Sequence, residues 1–269
     1  MSKFRPILKW AGNKYQILER IKEVLPAGNR LVEPFAGAGA VFLNVDYPAY
    51  LLADNNKDLI NLYLTLQKAG EDFIEYSKSF FTAENNRASR YYELRELFNT
   101  TGDSTLKAAL FLYLNRHGYN GLCRYNSKGR FNTPFGKYKR PYFPEKAMRH
   151  FLHKAQKAIF KTADFRAVMQ AAQTGDVVYC DPPYVPLSPT ASFTAYSPGG
   201  FGYQEQLELA ALAESLAGRG VPVLVSNHAT EFTLRAYKNA RIERLQVRRY
   251  ISCDGAGRKK VEEVLALFA

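Results

Sequence analysis

The chain has 269 residues, 46% hydrophobic and 23% charged, enough to bury a sizeable core and too apolar for a disordered polymer. Its formal net charge of +12 makes a polyanion the natural partner. It has no apolar run of membrane-spanning length, no secretory h-region in Met1–Trp10, and only three scattered cysteines (Cys123, Cys180, Cys253), which excludes a disulfide framework or a CxxC metal site.

Ile17, Leu18, Ile21 and Leu25 predict a helix over 13–25 that stops at Pro26. RLVEPF (30–35) reads as a short buried strand entering a glycine turn, and AYLLAD (49–54) as a second buried strand ending on an acid. Leu59, Ile60, Leu62, Tyr63 and Leu66 predict a helix over 58–68. Residues 71–116 read as helical, with breaks near 82–85 and 99–103. Then the texture changes: residues 117–144 hold four glycines, three asparagines and seven aromatics. Alternation over 122–125, a turn at 126–129 and the run 130–132 predict a β-hairpin within about 118–139. Beyond Pro144, helices are predicted over 145–157, 166–172, 204–216 and 230–238. Strands are predicted over 158–161, 177–180, 221–227, 242–247 and 261–268. Alternating strands and helices predict an α/β fold, a mostly parallel sheet with helices on both faces. Residues 1–56 and 145–269 would form it, with 57–144 as an insertion.

The positive charge is concentrated. From Arg116 to Arg149 there are nine Lys or Arg against one acid, Glu145. Lys3, Arg5, Lys9 and Lys14 meet no acid before Glu19. Basic residues interleaved with aromatics are the pattern of a nucleic-acid surface.

Two stretches carry chemistry. In EPFAGAGAVF (33–42), Gly37 and Gly39 follow a strand and precede a possible helix, a setting in which backbone can approach a ligand closely. Taken alone, the glycines fit a tight structural turn better. Asp54 ends the next strand, where an acid hydrogen-bonds ribose in nucleotide-binding folds; a helix N-cap is its other reading. No GxGxxG is present, so the fingerprint is not the dinucleotide one. In DVVYCDPPYVPLS (176–188), Asp181 ends an apolar strand and is followed by Pro182, Pro183 and Tyr184. A turn explains the prolines but not the aromatic residue after them. An acceptor pair explains all four. An aromatic amine is a poor nucleophile because its lone pair is conjugated into the ring. Hydrogen bonds to a carboxylate and the neighbouring Pro182 carbonyl draw its nitrogen toward sp3 geometry, and Tyr184 stacks on the base.

DPPY with an upstream EPFAGAG resembles the amino-methylating DNA methyltransferases that use S-adenosyl-L-methionine. The order of cofactor motif, insertion and catalytic motif is that of their α group. LKWAGNK, LVEPFAGAG, LYLNRHGYNGLCRYN, FNTPFGKYKRPYFPE, VVYCDPPYVPLS, SNH and RKKVEEVLAL together resemble the DNA adenine methylase (Dam) family, which modifies GATC, across essentially the whole chain. The resemblance implies a Rossmann-like methyltransferase sheet with an inserted recognition part. It implies transfer of a methyl group from S-adenosyl-L-methionine to N6 of a flipped-out adenine in double-stranded DNA, leaving S-adenosyl-L-homocysteine, with no metal. Its cofactor contacts fall on Trp10, Lys14, Asp54 and Asp181, with Ala11, Gly12, Gly37 and Gly39 in the adjoining turns. Phe35 lies beside the glycine turn, where core packing is its other reading, and Asp164 and Phe165 would edge the cofactor adenine. On the DNA side, Arg124 would read guanine, Leu122 and Pro134 thymine, and Lys9 the outer guanine with Tyr138 nearby. Tyr119 would wedge into the stack and Asn120 assist the displaced base. Arg116, Lys137, Lys139 and Arg140 would meet phosphates. The loop 185–202 is predicted to be mobile and to close on the flipped base. Asn227 and His228 would line or support the pocket, but Ala229 stands where the family often has an acid.

Two other readings stand beside this one: an RNA adenine-N6 methyltransferase, and a catalytically silent DNA-binding protein on the same fold. The intact Asp181–Tyr184 speaks against the second, and the hairpin readers speak against RNA, whose deep groove does not admit them. A cytoplasmic, nucleoid-associated monomer is expected. The cellular setting stays open among DNA replication, mismatch repair, gene regulation and restriction-modification.

Overall fold

The computed structural model describes residues 3–12, 14–186, 201–248 and 260–269. Its strands are β1 (Arg30–Glu33), β2 (Ala49–Asp54), β3 (Ala158–Thr162), β4 (Asp176–Cys180), β5 (Val223–His228), β6 (Arg241–Arg248) and β7 (Lys260–Phe268). They form one seven-stranded sheet in the order β3-β2-β1-β4-β5-β7-β6. The first five are parallel; β7 runs antiparallel to both β5 and β6. Every residue of β4 and of β5 is buried, which is why the runs Val177–Cys180 and Val223–Val225 within them are apolar throughout. The side-chain alternation assigns two faces. Leu31, Leu52, Val177, Tyr179 and Leu224 enter one apolar cluster, and Val32, Leu51, Ala53, Val178, Cys180 and Val225 the other.

The helices are α1 (Leu18–Val24), α2 (Lys57–Lys78), α3 (Ala88–Thr100), α4 (Ser104–His117), α5 (Glu145–Ala155), α6 (Phe165–Gln170), α7 (Tyr203–Ala217) and α8 (Glu231–Ala236). The starts of α2, α4, α6 and α8 are capped by the side chains of Asn56, Asp103, Asp164 and Thr230. The helix expected over 58–68 continues to Lys78, because Gly70 takes φ 57° and kinks the chain instead of ending it. The helix expected from residue 13 begins only at Leu18, after a turn in which Ile17 N–H bonds the Lys14 carbonyl at 3.2 Å.

One apolar cluster runs from Phe42, Tyr50 and Leu52 at the sheet through Tyr63 of α2 to Leu110, Phe111 and Tyr113 of α4. The stretch 57–144 therefore shares its core with one sheet face. The expected hairpin is looser than a ladder: Gly118–Phe135 and Tyr125–Phe131 pair only as single antiparallel bridges. Side chains have taken the main-chain groups a ladder would use. Asn99 bonds both Phe131 N–H (2.8 Å) and Phe131 C=O (3.1 Å), and Thr133 Oγ1 donates to the Leu122 carbonyl at 2.8 Å. Of the loop predicted to be a mobile lid, residues 187–200 lie outside the described residues.

Candidate active site

The strand order reverses between β1 and β4, and ligands in open α/β sheets bind at that switch point, beyond the carboxyl ends of the strands. Three carboxyls stand there: Glu33 ends β1, Asp54 ends β2, and Asp181 follows β4. Burial raises all three above the ordinary carboxylate range, Glu33 to about 8. Glu33 Oε1 is buried and has no hydrogen-bond partner among the described residues. At Asp181 the Lys14 ammonium, 2.9 Å from Oδ1, and the Ser226 hydroxyl, 3.1 Å away, counter the desolvation.

The glycine turn is built to put backbone beside this acidic mouth. Gly37 has φ 45°, and a Cβ there would lie 3.0 Å from Trp10 Nε1, so the indole rests against the bare backbone. Asp54 takes the N–H groups of Gly37 (3.0 Å) and Asn56 (2.9 Å), and Tyr63 donates to the Gly37 carbonyl at 2.6 Å. Phe35 stacks on Phe165 at 5.3 Å, and Phe201 meets both rings edge-on or tilted at 5.5 and 5.4 Å. Phe201 carried no sequence signal. Asp164 caps α6 and pairs with Arg166 at 3.1 Å. Ala11 and Gly12 are exposed, and Lys14 donates to the Gly12 carbonyl at 2.6 Å.

Lys14, expected as a cofactor contact, here spans the Asp181–Tyr184 segment, bound to Asp181 and 4.3 Å above the Tyr184 ring. Tyr184 donates to Glu263 Oε2 at 3.1 Å and packs edge-on against the His228 ring at 4.7 Å. Among the described residues nothing donates to the Pro182 carbonyl. The SNH stretch sits behind this segment and supports it: Val185 N–H bonds Asn227 Oδ1 at 3.1 Å, and His228 Nδ1–H donates to the Val185 carbonyl at 2.6 Å. Gln206, which sequence reasoning missed, donates to the Pro183 carbonyl at 2.7 Å. Ser226 and Glu263 were missed as well.

Most of the expected nucleic-acid residues lie in the basic-aromatic loop and are exposed or half-buried. Tyr119 N–H bonds the Pro134 carbonyl at 2.8 Å, leaving its ring 52% exposed, and Asn120, at φ 52°, donates its N–H to the Tyr138 hydroxyl. Arg124 is exposed and braced by Asn132 at 2.8 Å, with Leu122 half-buried beside it. Lys137, Lys139 and Arg140 are exposed. Lys9 lies 3.8 Å over the Tyr138 ring. Asn115, buried on α4, accepts from Lys9 N–H and donates to the carbonyls of Lys9 and Gly121, each at 2.8 Å. Arg116 departs from its expected place at the phosphates. It is buried, its guanidinium donates to the Ile7 carbonyl, and desolvation lowers it to about 10.

A carbonyl with no donor among the described residues, next in sequence to a fixed carboxylate and followed by an aromatic plate, is what an exocyclic amine needs to become a nucleophile, and the class so defined is that of the amine-methylating transferases. The chain belongs to the D12 class N6 adenine-specific DNA methyltransferase family, whose model matches residues 10–251. It is 53% identical over its full length to the DNA adenine methylase of Salmonella typhi, covering 96% of that protein. It is 52% identical to that of Escherichia coli strain K12 (96% covered) and 51% to that of a Vibrio cholerae O1 strain (97% covered), again over its full length. The resemblance read from the motifs is borne out: the protein is an enzyme, an adenine-specific DNA methyltransferase. Among the described residues no helix is long and apolar enough to cross a membrane, and no group of three or more His, Cys, Asp or Glu could hold a metal ion.

Proposed function

We propose that this enzyme methylates adenine N6 in double-stranded GATC, drawing the methyl group from S-adenosyl-L-methionine and acting as a monomer in the cytoplasm beside the nucleoid. The observation that carries the reading is the acceptor pair, Asp181 fixed by Ser226 and Lys14 beside a Pro182 carbonyl with no donor among the described residues. The residues fit the cofactor. Three carboxyls, Glu33 buried with an orphaned oxygen and Asp54 and Asp181 half-buried, suit a ligand that carries positive charge, and Asp54 beside the Gly37 backbone suits a ribose. Trp10, Ala11, Gly12, Lys14, Phe35, Gly37, Gly39, Asp54, Asp164, Phe165 and Asp181 would hold it; when bound it supplies an electrophilic methyl group on a sulfonium.

The chain's own work is on the amine. The target base leaves the duplex, a step that costs a few kcal/mol, while Tyr119 fills the stack and Asn120 meets the displaced base. The base lies against Tyr184, and its amine donates to Asp181 and to the Pro182 carbonyl. The amine takes the place the Lys14 ammonium holds, and Lys14 turns to the cofactor carboxylate. Pro183 keeps the pair rigid. Arg124 reads guanine, Leu122 and Pro134 contact thymine, Lys9 and Tyr138 meet the outer guanine, and Lys137, Lys139 and Arg140 hold phosphates.

The test is transfer of labelled methyl groups to duplexes containing or lacking GATC, with Asp181→Ala beside the unmodified chain. Labelling confined to GATC duplexes and abolished by Asp181→Ala is expected. Equal labelling of both duplexes refutes the specificity, and undiminished labelling by Asp181→Ala refutes the mechanism.

A further inference from the structure

The Asp181–Tyr184 segment is braced by two carboxamides, Gln206, which no motif contains, and Asn227 of the SNH stretch. Gln206, on the first turn of α7 and fully buried, donates through Nε2 to the Pro183 carbonyl at 2.7 Å. Asn227, fully buried at the end of β5, donates to Gln206 Oε1 and to the Tyr237 hydroxyl, both at 3.0 Å. Its own oxygen accepts Val185 N–H at 3.1 Å and His228 N–H at 2.9 Å. The polarity of this relay is fixed at both ends, since a proline carbonyl can only accept and a peptide N–H can only donate.

The geometry of proline gives the relay a specific consequence. The Pro183 ring locks φ, so the peptide plane carrying the Pro182 carbonyl can turn relative to the next plane only through Pro183 ψ. A bond that fixes the Pro183 carbonyl fixes that angle. It therefore aims the Pro182 carbonyl and sets the plane from which the Tyr184 side chain springs. Asn227 and His228 pin the other end at Val185.

We infer that Gln206, seconded by Asn227, is a positioning residue for methyl transfer: it holds the Pro182 carbonyl in line with Asp181 by bonding its neighbour. The inference rests on the reading of Asp181–Tyr184 as the amine-binding segment. A misplacement of an ångström at reacting groups can cost about a hundredfold in rate. Gln206→Met, similar in shape and without a donor, is expected to lower the single-turnover rate on GATC duplex about ten- to a hundredfold. Equilibrium affinities for S-adenosyl-L-methionine and for the duplex should change less than about threefold, since Gln206 touches neither.

Gln206→Glu adds a readout that a packing role would not move. Only the protonated carboxyl can donate to the Pro183 carbonyl, so its rate relative to the unmodified enzyme should fall as pH rises. The groups around that position are Tyr237 after α8, His228 on β5, Glu263 on β7, Asp181, Asp164 capping α6, Arg166 of α6, and Glu205 and Glu208 of α7. The unmodified enzyme carries all of them, so the ratio removes their titration. An unchanged rate in Gln206→Met, a parallel loss of both affinities, or a pH-independent ratio in Gln206→Glu would overturn the proposal. Asp181→Ala, run alongside, separates the two claims. If it is inactive while Gln206→Met is unimpaired, only the positioning role fails; if it stays active, the reading of the segment itself fails.

Discussion

Replacing Asn115 by alanine probes how the amino-terminal segment is joined to the recognition loop. The side chain is fully buried and makes three bonds of 2.8 Å, two to the main chain of Lys9 and one to the Gly121 carbonyl. Each bond contributes about 1 kcal/mol net, so their loss amounts to about 3 kcal/mol, before any cavity is counted. Water can reach half-buried Lys9 and re-pair its groups but not buried Gly121, whose unpaired carbonyl keeps its full desolvation cost. Urea unfolding measures it, and the single tryptophan, Trp10, adjoins the affected bonds and reports on them by fluorescence. The midpoint should fall with the slope unchanged, as expected when stability alone is altered. Asn115→Asp keeps the acceptor for Lys9 N–H but loses both donors and buries a charge, so it should lose at least as much. A change below about 0.5 kcal/mol in Asn115→Ala, less than a single bond, would refute the claim that this side chain fastens the two segments.

Arg124→Ala should cost about 1–3 kcal/mol of discrimination at one guanine, read as the ratio of kcat/KM on GATC to that on a duplex with this guanine replaced. Lys139→Ala and Arg140→Ala should each reduce the salt dependence of DNA binding by about one counterion, whereas Arg116→Met, buried against Ile7, should lower thermal stability and leave that slope unchanged. Gly37→Ala should weaken S-adenosyl-L-methionine binding about tenfold in a titration, the equivalent of about 1.4 kcal/mol, because φ is 45° and the new Cβ presses on Trp10. Glu33, raised to about 8 by burial, binds its proton more tightly folded than unfolded, so its contribution is fully present below the unfolded value of 4.5 and is lost as pH rises through about 8. Denaturation across that window should show a shallower decline for Glu33→Gln; an identical slope would remove Glu33 as its cause.

The sheet was legible because its central strands obey the rules of doubly covered parallel strands. Val177–Cys180 and Val223–Val225 are apolar from end to end because helices cover both faces, and each is closed by a polar residue, Asp181 or Ser226, where the site begins. The acidic strand ends and the glycine turn were legible for the same reason, since function departs there from the pattern of the core. Elements whose form depends on distant partners were harder to read. The 118–139 segment has hairpin composition, but whether a ladder forms is decided by Asn99, whose side chain takes up Phe131 from another helix. Arg116 sits in a basic run that suggests phosphates, while its burial follows from the return of Ile7 beneath α4. Gln206 lies in an ordinary helical sequence, and nothing local marks it as the partner of a carbonyl 23 residues earlier. Glu33 stood inside a motif already noticed, and an acid at the end of a buried strand was signal enough to have named it.

The pairing of β1 with β4 joins residues 146 apart, as in the Arg30–Asp176 ion pair, so the middle of the sheet is missing until more than half the chain exists. At about ten residues per second of synthesis, β1 waits roughly 15 s for its neighbour. During that time β1 and β2 would present apolar edges to the cell. Among the elements that emerge in the interval are α2, α3 and α4, whose contacts are local and quick to form. Because Leu110, Phe111 and Tyr113 pack in the same cluster as Phe42, Tyr50 and Leu52, these helices can shelter one face of the unfinished sheet. The stretch 57–144 thus shares its core with a sheet face that would otherwise stand bare until β4 is made.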